Sequence, residues 1–210
     1  CPIVQLPSKA KEVSCGLFDN YILTEDGRVY CLSRLSDPTI MRLLDTFSGH
    51  LVKGLPNIIS VSAGQTYCAA LSDDGHVYVW GENSYNQLGI PSIERSENPI
   101  ALKLPEKISQ IATGFYHSLA LSESGNVYCW GNNYSGQLGL DTTTQYTTPL
   151  RCARDVQSIA CGGNHSVIIL NNGVVKTCGY NFSRQLGRHT SKDHCASFTT
   201  VLENGVRVEA

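Results

Sequence analysis

The sequence predicts an all-β protein built from about four copies of a repeat of roughly fifty residues. Four glycines follow similar short apolar stretches: Gly16, Gly64, Gly114 and Gly162. They are separated by 48, 50 and 48 residues, and each is followed eleven residues later by a second glycine. A fixed period of this length is typical of a propeller or a solenoid, because one small repeat cannot bury its apolar faces without neighbours.

The segments around the second glycine indicate strands rather than helices. TEDGRVY, SDDGHVY, SESGNVY and NNGVVK each place a polar, turn-forming triplet before a β-rich run, which is the pattern of a hairpin. In the second copy Val77 and Val79 alternate with Tyr78 and Trp80. Since both faces of this strand are apolar, we expect both to be covered by adjacent sheets.

Two further marks divide regular copies from a divergent one. Gly81, Gly131 and Gly179 follow the first glycine by seventeen residues, and a Gln-Leu-Gly triplet ends eight residues later in each of these copies. The copy that begins at Gly16 lacks both marks. Its segment from Leu32 to His50, including the run Ile40 to Leu44, is either a degenerate strand region or a modified contact surface.

Composition describes an ordinary globular chain. Of 210 residues, 41% are hydrophobic and 16% are charged, and the formal charge of −2 gives no overall attraction to nucleic acid or to an anionic membrane. No apolar run approaches the roughly twenty residues of a membrane helix, and Cys1 to Gln5 lacks the features of a signal peptide. We therefore expect a soluble chain located in the cytoplasm, with the nucleus as the alternative.

Nine cysteines raise the alternatives of a disulfide framework or a metal site. No pair has the two-residue spacing of a zinc or thioredoxin-like motif. Cys31 and Cys129 occupy the same strand position in different repeats, and Cys15 and Cys161 both precede a first glycine. Because equivalent positions in different repeats lie far apart, we expect buried, reduced thiols.

No motif predicts a metal, a cofactor or a catalytic centre. His189, His194 and Cys195 lie together in RHTSKDHC, but no fourth ligand has the usual paired spacing, so a solvated loop is the simpler interpretation. The sequence also lacks a phosphate-binding glycine loop with lysine and a nucleophile elbow.

The string GFYHSLALSESGNVYCWGNNYSGQLGL, from Gly114 to Leu140, closely resembles the repeat of the regulator-of-chromosome-condensation family. The segments 64–90 and 162–187 are similar at every register mark. The resemblance covers essentially the whole chain and implies a β-propeller of four-stranded blades around a central channel, normally with seven blades. Four repeats would then be a partial propeller, or an arc of a larger ring.

The resemblance also implies a division of the chain. Residues 1–15 would form the end of a preceding blade and an entry strand, 16–63 the divergent repeat, 64–113 and 114–161 two regular repeats, and 162–210 a further repeat with the start of the next. Pro2 to Leu6 matches Pro99 to Lys103, and Ala210 lies one residue before the next expected first glycine. We therefore expect both ends to cut through a propeller.

In the family's founding member the loop just after the first glycine faces a small GTPase of the Ran type. By that resemblance the candidate contact residues are Phe18, Asp19, Tyr67, Phe115, Tyr116, His117, Asn164 and His165. Aromatic side chains in these loops are either interface anchors or caps on the blades. The repeated histidines are either hydrogen-bonded structural groups, which we favour, or partner contacts.

Three functions follow from the resemblance. The first is a non-catalytic protein-interaction module that binds a small GTPase or its regulators. The second is a guanine-nucleotide exchange factor for a Ran-like or Rab-like GTPase, which in the founding member depends on a wedge hairpin between the Trp-Gly and Gln-Leu-Gly elements. In the three regular copies the glycines of these two elements are only eight residues apart, which leaves no room for such a hairpin and disfavours exchange. The third is a scaffold domain of a larger ligase, kinase or bacterial effector.

Overall fold

The computed structural model describes residues 6–33, 49–188 and 193–202, and every regular element in those residues is a β-strand. Sixteen strands form four antiparallel sheets, each made of four consecutive strands. The prediction of an all-β chain with four-stranded blades is confirmed. The run Ile40 to Leu44 and both chain ends lie outside the described residues, so the predictions made for them are untested.

The strands of each blade follow one another in sequence. Blade 1 contains β1 (Ala10–Cys15), β2 (Asp19–Thr24), β3 (Val29–Ser33) and β4 (Gly49–Leu51). Blade 2 contains β5 (Ile58–Ala63), β6 (Tyr67–Ser72), β7 (Val77–Glu82) and β8 (Arg95–Leu102). Blade 3 contains β9 (Ile108–Thr113), β10 (His117–Ser122), β11 (Val127–Gly131) and β12 (Tyr146–Ala153). Blade 4 contains β13 (Val156–Cys161), β14 (His165–Leu170), β15 (Val175–Tyr180) and β16 (His194–Leu202).

Each blade begins one strand before the glycine that marks the sequence repeat. In blade 3, β9 ends just before Gly114 and pairs with β10, which follows that glycine. The repeat boundaries at the first glycines therefore give the period of the chain, whereas the sheets are offset from them by one strand.

The turn between the second and third strands has the geometry that its glycine predicts. Gly27, Gly75, Gly125 and Gly173 have φ values between 75° and 83°, in the left-handed region that favours glycine. In blade 2 the amide of Gly75 donates to the carbonyl of Ser72 at 3.0 Å and closes the turn. These turns lie at one end of every sheet, which we call the lower face.

Apolar side chains fill the spaces between neighbouring blades. Val77 and Val79 belong to the core between blades 2 and 3, whereas Trp80 and Tyr78 pack into the core between blades 1 and 2. The prediction that both faces of this strand are covered is confirmed. A third core, around Leu119 and Ile168, joins blades 3 and 4.

The Gln-Leu-Gly elements fasten each regular blade to the next. Leu88 and Leu138 are fully buried in the cores that follow their own blades. The carbonyl of Gln87 accepts hydrogen bonds from the indole of Trp130 at 2.8 Å and from the hydroxyl of Ser118 at 3.2 Å. The triplet therefore serves blade packing.

Four cysteines are buried, as predicted for these thiols. Cys68, Cys129 and Cys178 are buried thiols, and burial raises the pKa of each above its usual range. Cys31 is buried at the strand position equivalent to Cys129. Cys15 is exposed and Cys161 is partly buried, which corrects the expectation of burial for both, because each ends the first strand of its blade directly before a first glycine.

Candidate protein-binding face

The first strands of successive blades contact one another and bring the first glycines together on the inner side of the arc. A Cβ added at Gly64 would lie 2.7 Å from the carbonyl oxygen of Gly114, and one added at Gly114 would lie 2.6 Å from that of Gly162. No side chain fits at these distances. Glycine is therefore required at these positions, where the backbones of neighbouring blades approach closely.

Backbone hydrogen bonds join the loops that follow these glycines into a continuous rim. The amide of Leu17 donates to Gln65 at 3.0 Å, that of Gln65 to Phe115 at 3.1 Å, and that of Phe115 to Gly163 at 2.8 Å. The loops between the third and fourth strands lie at the same end of the sheets. We call this end the upper face, and its inner loops are held in place by neighbouring blades.

Two of the predicted contact residues are buried between blades, at 2% exposure for Tyr67 and 0% for His117. The Tyr67 hydroxyl donates to the carbonyl of His117 at 2.5 Å, and His117 Nε2 lies 3.0 Å from the Ser166 hydroxyl. Burial, with a smaller contribution from His165, lowers the pKa of His117 to about 3. The side chains of Tyr67 and His117 hydrogen-bond to the next blade and stabilise the packing between blades. Because they are buried there, these two residues are not part of the accessible contact surface.

Three other candidates are half-buried at the edge of the face. The Asn164 carbonyl accepts from the amide of Tyr180 at 2.8 Å, and the ring of His165 folds back over Gly162. Burial lowers the pKa of His165 and raises that of Asp19, where the charges of His50 and Arg95 oppose the shift. These three residues give the edge of the upper face a polar character, but their side chains do not project from it.

The remaining candidates are accessible. Phe18 is 68% exposed and Phe115 is 48% exposed, and the neighbouring Leu17 is also exposed. The Phe115 ring rests over Gly163, where an added Cβ would lie only 2.7 Å from the ring. Tyr116 is half-buried and packs against Tyr85 from the outer loop of blade 2, with 4.5 Å between ring centroids.

Two further aromatic residues, which were not among the predicted contacts, lie on the same face. Tyr134 and Phe182 are 66% and 70% exposed, and both lie in loops between third and fourth strands. In the described ranges, the aromatic side chains with large exposure are Phe18, Phe115, Tyr134 and Phe182, and all four lie on the upper face. The signal in the sequence was an aromatic residue directly after asparagine within the five residues before Gln-Leu-Gly.

A depression of about 340 Å³ lies at the inner edge of this face. The first glycines form its floor, with Leu17, Phe115 and Cys15 among the surrounding residues. The residues that line it carry no charged side chain. Such a depression suits an apolar protein side chain better than a charged ligand.

Within residues 6–33, 49–188 and 193–202, no three or more His, Cys, Asp or Glu side chains are grouped to hold a metal ion. His189, from the RHTSKDHC segment, lies outside those ranges, so that interpretation stays a prediction. None of the described elements is a helix that could cross a membrane.

Four meandering sheets packed around a common inner edge define the class of a β-propeller. Within that class, models of the Regulator of chromosome condensation (RCC1) repeat match residues 58–87, 108–137 and 156–185, and also 74–121 and 124–169. These matches together span residues 58–185. The chain belongs to the RCC1 repeat family.

Named relatives resemble parts of this chain. The human X-linked retinitis pigmentosa GTPase regulator is 30% identical over 116 residues, which is 50% of this chain and 11% of the relative. The human Regulator of chromosome condensation is 32% identical over 119 residues, which is 53% of this chain and 28% of the relative. The structure of Prp20p from Saccharomyces cerevisiae has a TM-score of 0.83 at 21% identity, covering 95% of this chain and 52% of that one.

Proposed function

We propose that the upper face binds another protein, and that this partner is a small GTPase or a regulator of one. The observation that carries the proposal is the placement of Phe18, Phe115, Tyr134 and Phe182 on one face. Aromatic residues are favoured interface anchors, and the hydrogen-bonded inner loops present theirs without a large ordering cost on binding.

The partner class is supported by the relatives. One of them is named a GTPase regulator, and the Prp20p structure is described with its binding properties to Gsp1p and histones. This chain spans only part of each of these proteins, so the partner is a proposal for this chain. A role as scaffold domain of a larger ligase, kinase or effector, and a cytoplasmic or nuclear location, stay predictions.

The outer loops favour binding over nucleotide exchange. In blade 3 the side chain of Asn133 accepts from the amide of Leu138 at 2.9 Å and donates to the carbonyls of Thr142 and Thr144 at 2.7 and 2.9 Å. Asn83 makes equivalent bonds in blade 2. These loops are compact turns, so we propose a module that binds its partner without accelerating nucleotide release.

The test is a pull-down with a panel of small GTPases loaded with GDP or with a GTP analogue, followed by a fluorescent nucleotide-release assay on any that bind. We expect capture of at least one GTPase and no acceleration of release. Accelerated release would favour the exchange factor, and failure of the whole panel to bind would contradict the GTPase partner.

A matched pair of variants locates the contact. Phe115→Ala removes an exposed aromatic anchor from the upper face, whereas Leu150→Ala removes a 38% exposed side chain from the outer strand β12. An anchor that becomes buried typically contributes about 2 kcal/mol, which corresponds to roughly thirty-fold weaker binding for Phe115→Ala. Equal losses from the two variants would remove the upper face from the proposal.

A further inference from the structure

The junction between blades 3 and 4 is built differently from the two before it. Residues 52–57 connect blades 1 and 2 and residues 103–107 connect blades 2 and 3, but only Arg154 and Asp155 connect blades 3 and 4. The two longer linkers carry Leu55-Pro56 and Leu104-Pro105, and both leucines pack into the core of their junction. The short linker has no leucine to supply.

The junction between blades 3 and 4 also differs from the first two at one position of the third strand. Tyr78 and Tyr128 occupy equivalent positions, opposite Ala70 and Ala120, and pack into the cores of the first two junctions. The Tyr128 hydroxyl donates to Glu106, in the same linker as Leu104-Pro105, at 2.5 Å. In blade 4 the equivalent pair is Ile168 and Lys176. The position that holds Tyr128 in blade 3 therefore holds a positively charged lysine in blade 4.

A groove of about 700 Å³ lies at this junction, between blades 3 and 4. Ile168, Leu170, Phe198 and Cys152 give it an apolar lining. Arg154 and Lys176 also line it, together with Asp141 and Asp155. The Asp141 carboxylate accepts a hydrogen bond from the Ser197 hydroxyl, and the Asp155 carbonyl accepts one from the amide of Asn171. The volume lies in the range of small ligand and peptide-anchor sites.

We propose that this groove binds a Leu-Pro-Glu segment of a partner polypeptide, placed as the chain's own linker is placed in the junction between blades 2 and 3. The leucine fills the apolar lining, the proline keeps the segment extended, and the glutamate pairs with Lys176. The groove lies on the outer side of the arc, between the short linker at the lower end and Asp141 of the β11–β12 loop, and none of the four exposed aromatic residues lines it. It is therefore independent of the function proposed for the upper face.

The direct test uses a fluorescent peptide with the sequence of residues 101–107, ALKLPEK, titrated with the full chain and followed by anisotropy. We expect saturable binding. Replacing the peptide leucine that corresponds to Leu104 by alanine should weaken binding about ten-fold or more, because a buried leucine side chain contributes about 1.5–3 kcal/mol. Replacing the glutamate by glutamine should weaken it about two- to five-fold, as for a partly exposed ion pair. No binding, or equal binding of the leucine-to-alanine peptide, would overturn the proposal.

Two protein variants fill the groove from within. Inserting Leu-Pro between Ala153 and Arg154 lengthens the linker and restores the glycine spacing of 50 found at the second junction, and Lys176→Tyr restores the aromatic residue. Both should weaken peptide binding at least ten-fold, and Lys176→Tyr serves if the insertion does not fold. Phe115→Ala, on the upper face, should leave peptide binding unchanged. Sedimentation completes the test: if the wild type self-associates and the filled variants do not, the occupant is a second copy and the proposal is wrong.

Discussion

Replacing His117 by tyrosine tests the interpretation of this residue as a pin between blades. Tyr67 occupies the same position in blade 2, where its hydroxyl donates to the next blade's His117 carbonyl and lies 2.9 Å from the Ser118 hydroxyl. The equivalent groups in blade 4 are the His165 carbonyl and the Ser166 hydroxyl. We expect His117→Tyr to fold, with the new hydroxyl contacting the His165 carbonyl and the Ser166 hydroxyl. The ring should fit against Gly114 as the Tyr67 ring fits against Gly64.

The two proteins should differ in acid. His117 has a pKa of about 3 in the folded chain, mainly because it is buried, against about 6.5 when unfolded. Its neutral form stabilises the fold fully above pH 6.5, and this contribution is lost as the pH falls from 6.5 toward 3. At about 1.4 kcal/mol per pKa unit, acidification from pH 7 to pH 5 should cost the wild type about 2 kcal/mol through this residue. The tyrosine variant should not pay that cost.

Urea denaturation of both proteins at pH 7 and pH 5 measures the difference. The burial-lowered pKa of His165 is common to the two proteins and cancels in the comparison. The loss of unfolding free energy on acidification should be smaller in His117→Tyr by about 2 kcal/mol. A difference below about 0.5 kcal/mol would mean that His117 is accessible to protons in the folded chain, which would refute its burial between blades.

Three other outcomes follow from the same packing. Gly114→Ala should abolish soluble expression or strongly lower the Tm in thermal unfolding, because the added Cβ would lie 2.6 Å from a carbonyl oxygen of blade 4. The control is Gly54→Ala, where the added Cβ meets no atom within 4 Å. This variant should lose about 1 kcal/mol of unfolding free energy from its positive φ alone. Asn133→Ala removes three hydrogen bonds within the β11–β12 loop and should lower the free energy of unfolding, measured in urea, by about 2–4 kcal/mol. A loss below about 1 kcal/mol would contradict the proposal that Asn133 stabilises this loop. Iodoacetamide should label the exposed Cys15 in the folded chain but the buried Cys68 only after unfolding, and peptide mass spectrometry would identify the labelled residues. Labelling of Cys68 in the folded chain would contradict its burial.

The architecture was predictable because it depends on local and periodic features. The second glycines require a left-handed turn at a fixed distance from each strand, and alternation at Val77 to Trp80 reveals two buried faces. The period then gives the number of blades. None of these signals needs knowledge of which residues meet across the blades.

The candidate site was predictable only in part, because exposure depends on contacts about fifty residues away. His117 and Phe115 lie in one loop, yet Ser166 of the next blade holds the first inside while the second projects. Tyr134 is exposed because Asn133 folds its loop. The groove between blades 3 and 4 was not predictable from the glycine spacing, because the first junction has the same spacing of 48 and a longer linker; recognising it depends on where Leu104 packs.

Hydrogen–deuterium exchange of the chain, alone and with a GTPase captured from the panel, tests the proposed binding face most directly. We expect new protection in the loops at residues 16–18, 114–116 and 132–135, with no change in the lower-face turns around Gly75 and Gly125. Protection confined to those turns or to the groove between blades 3 and 4, with the upper loops unchanged, would contradict the proposal that the upper face binds the partner.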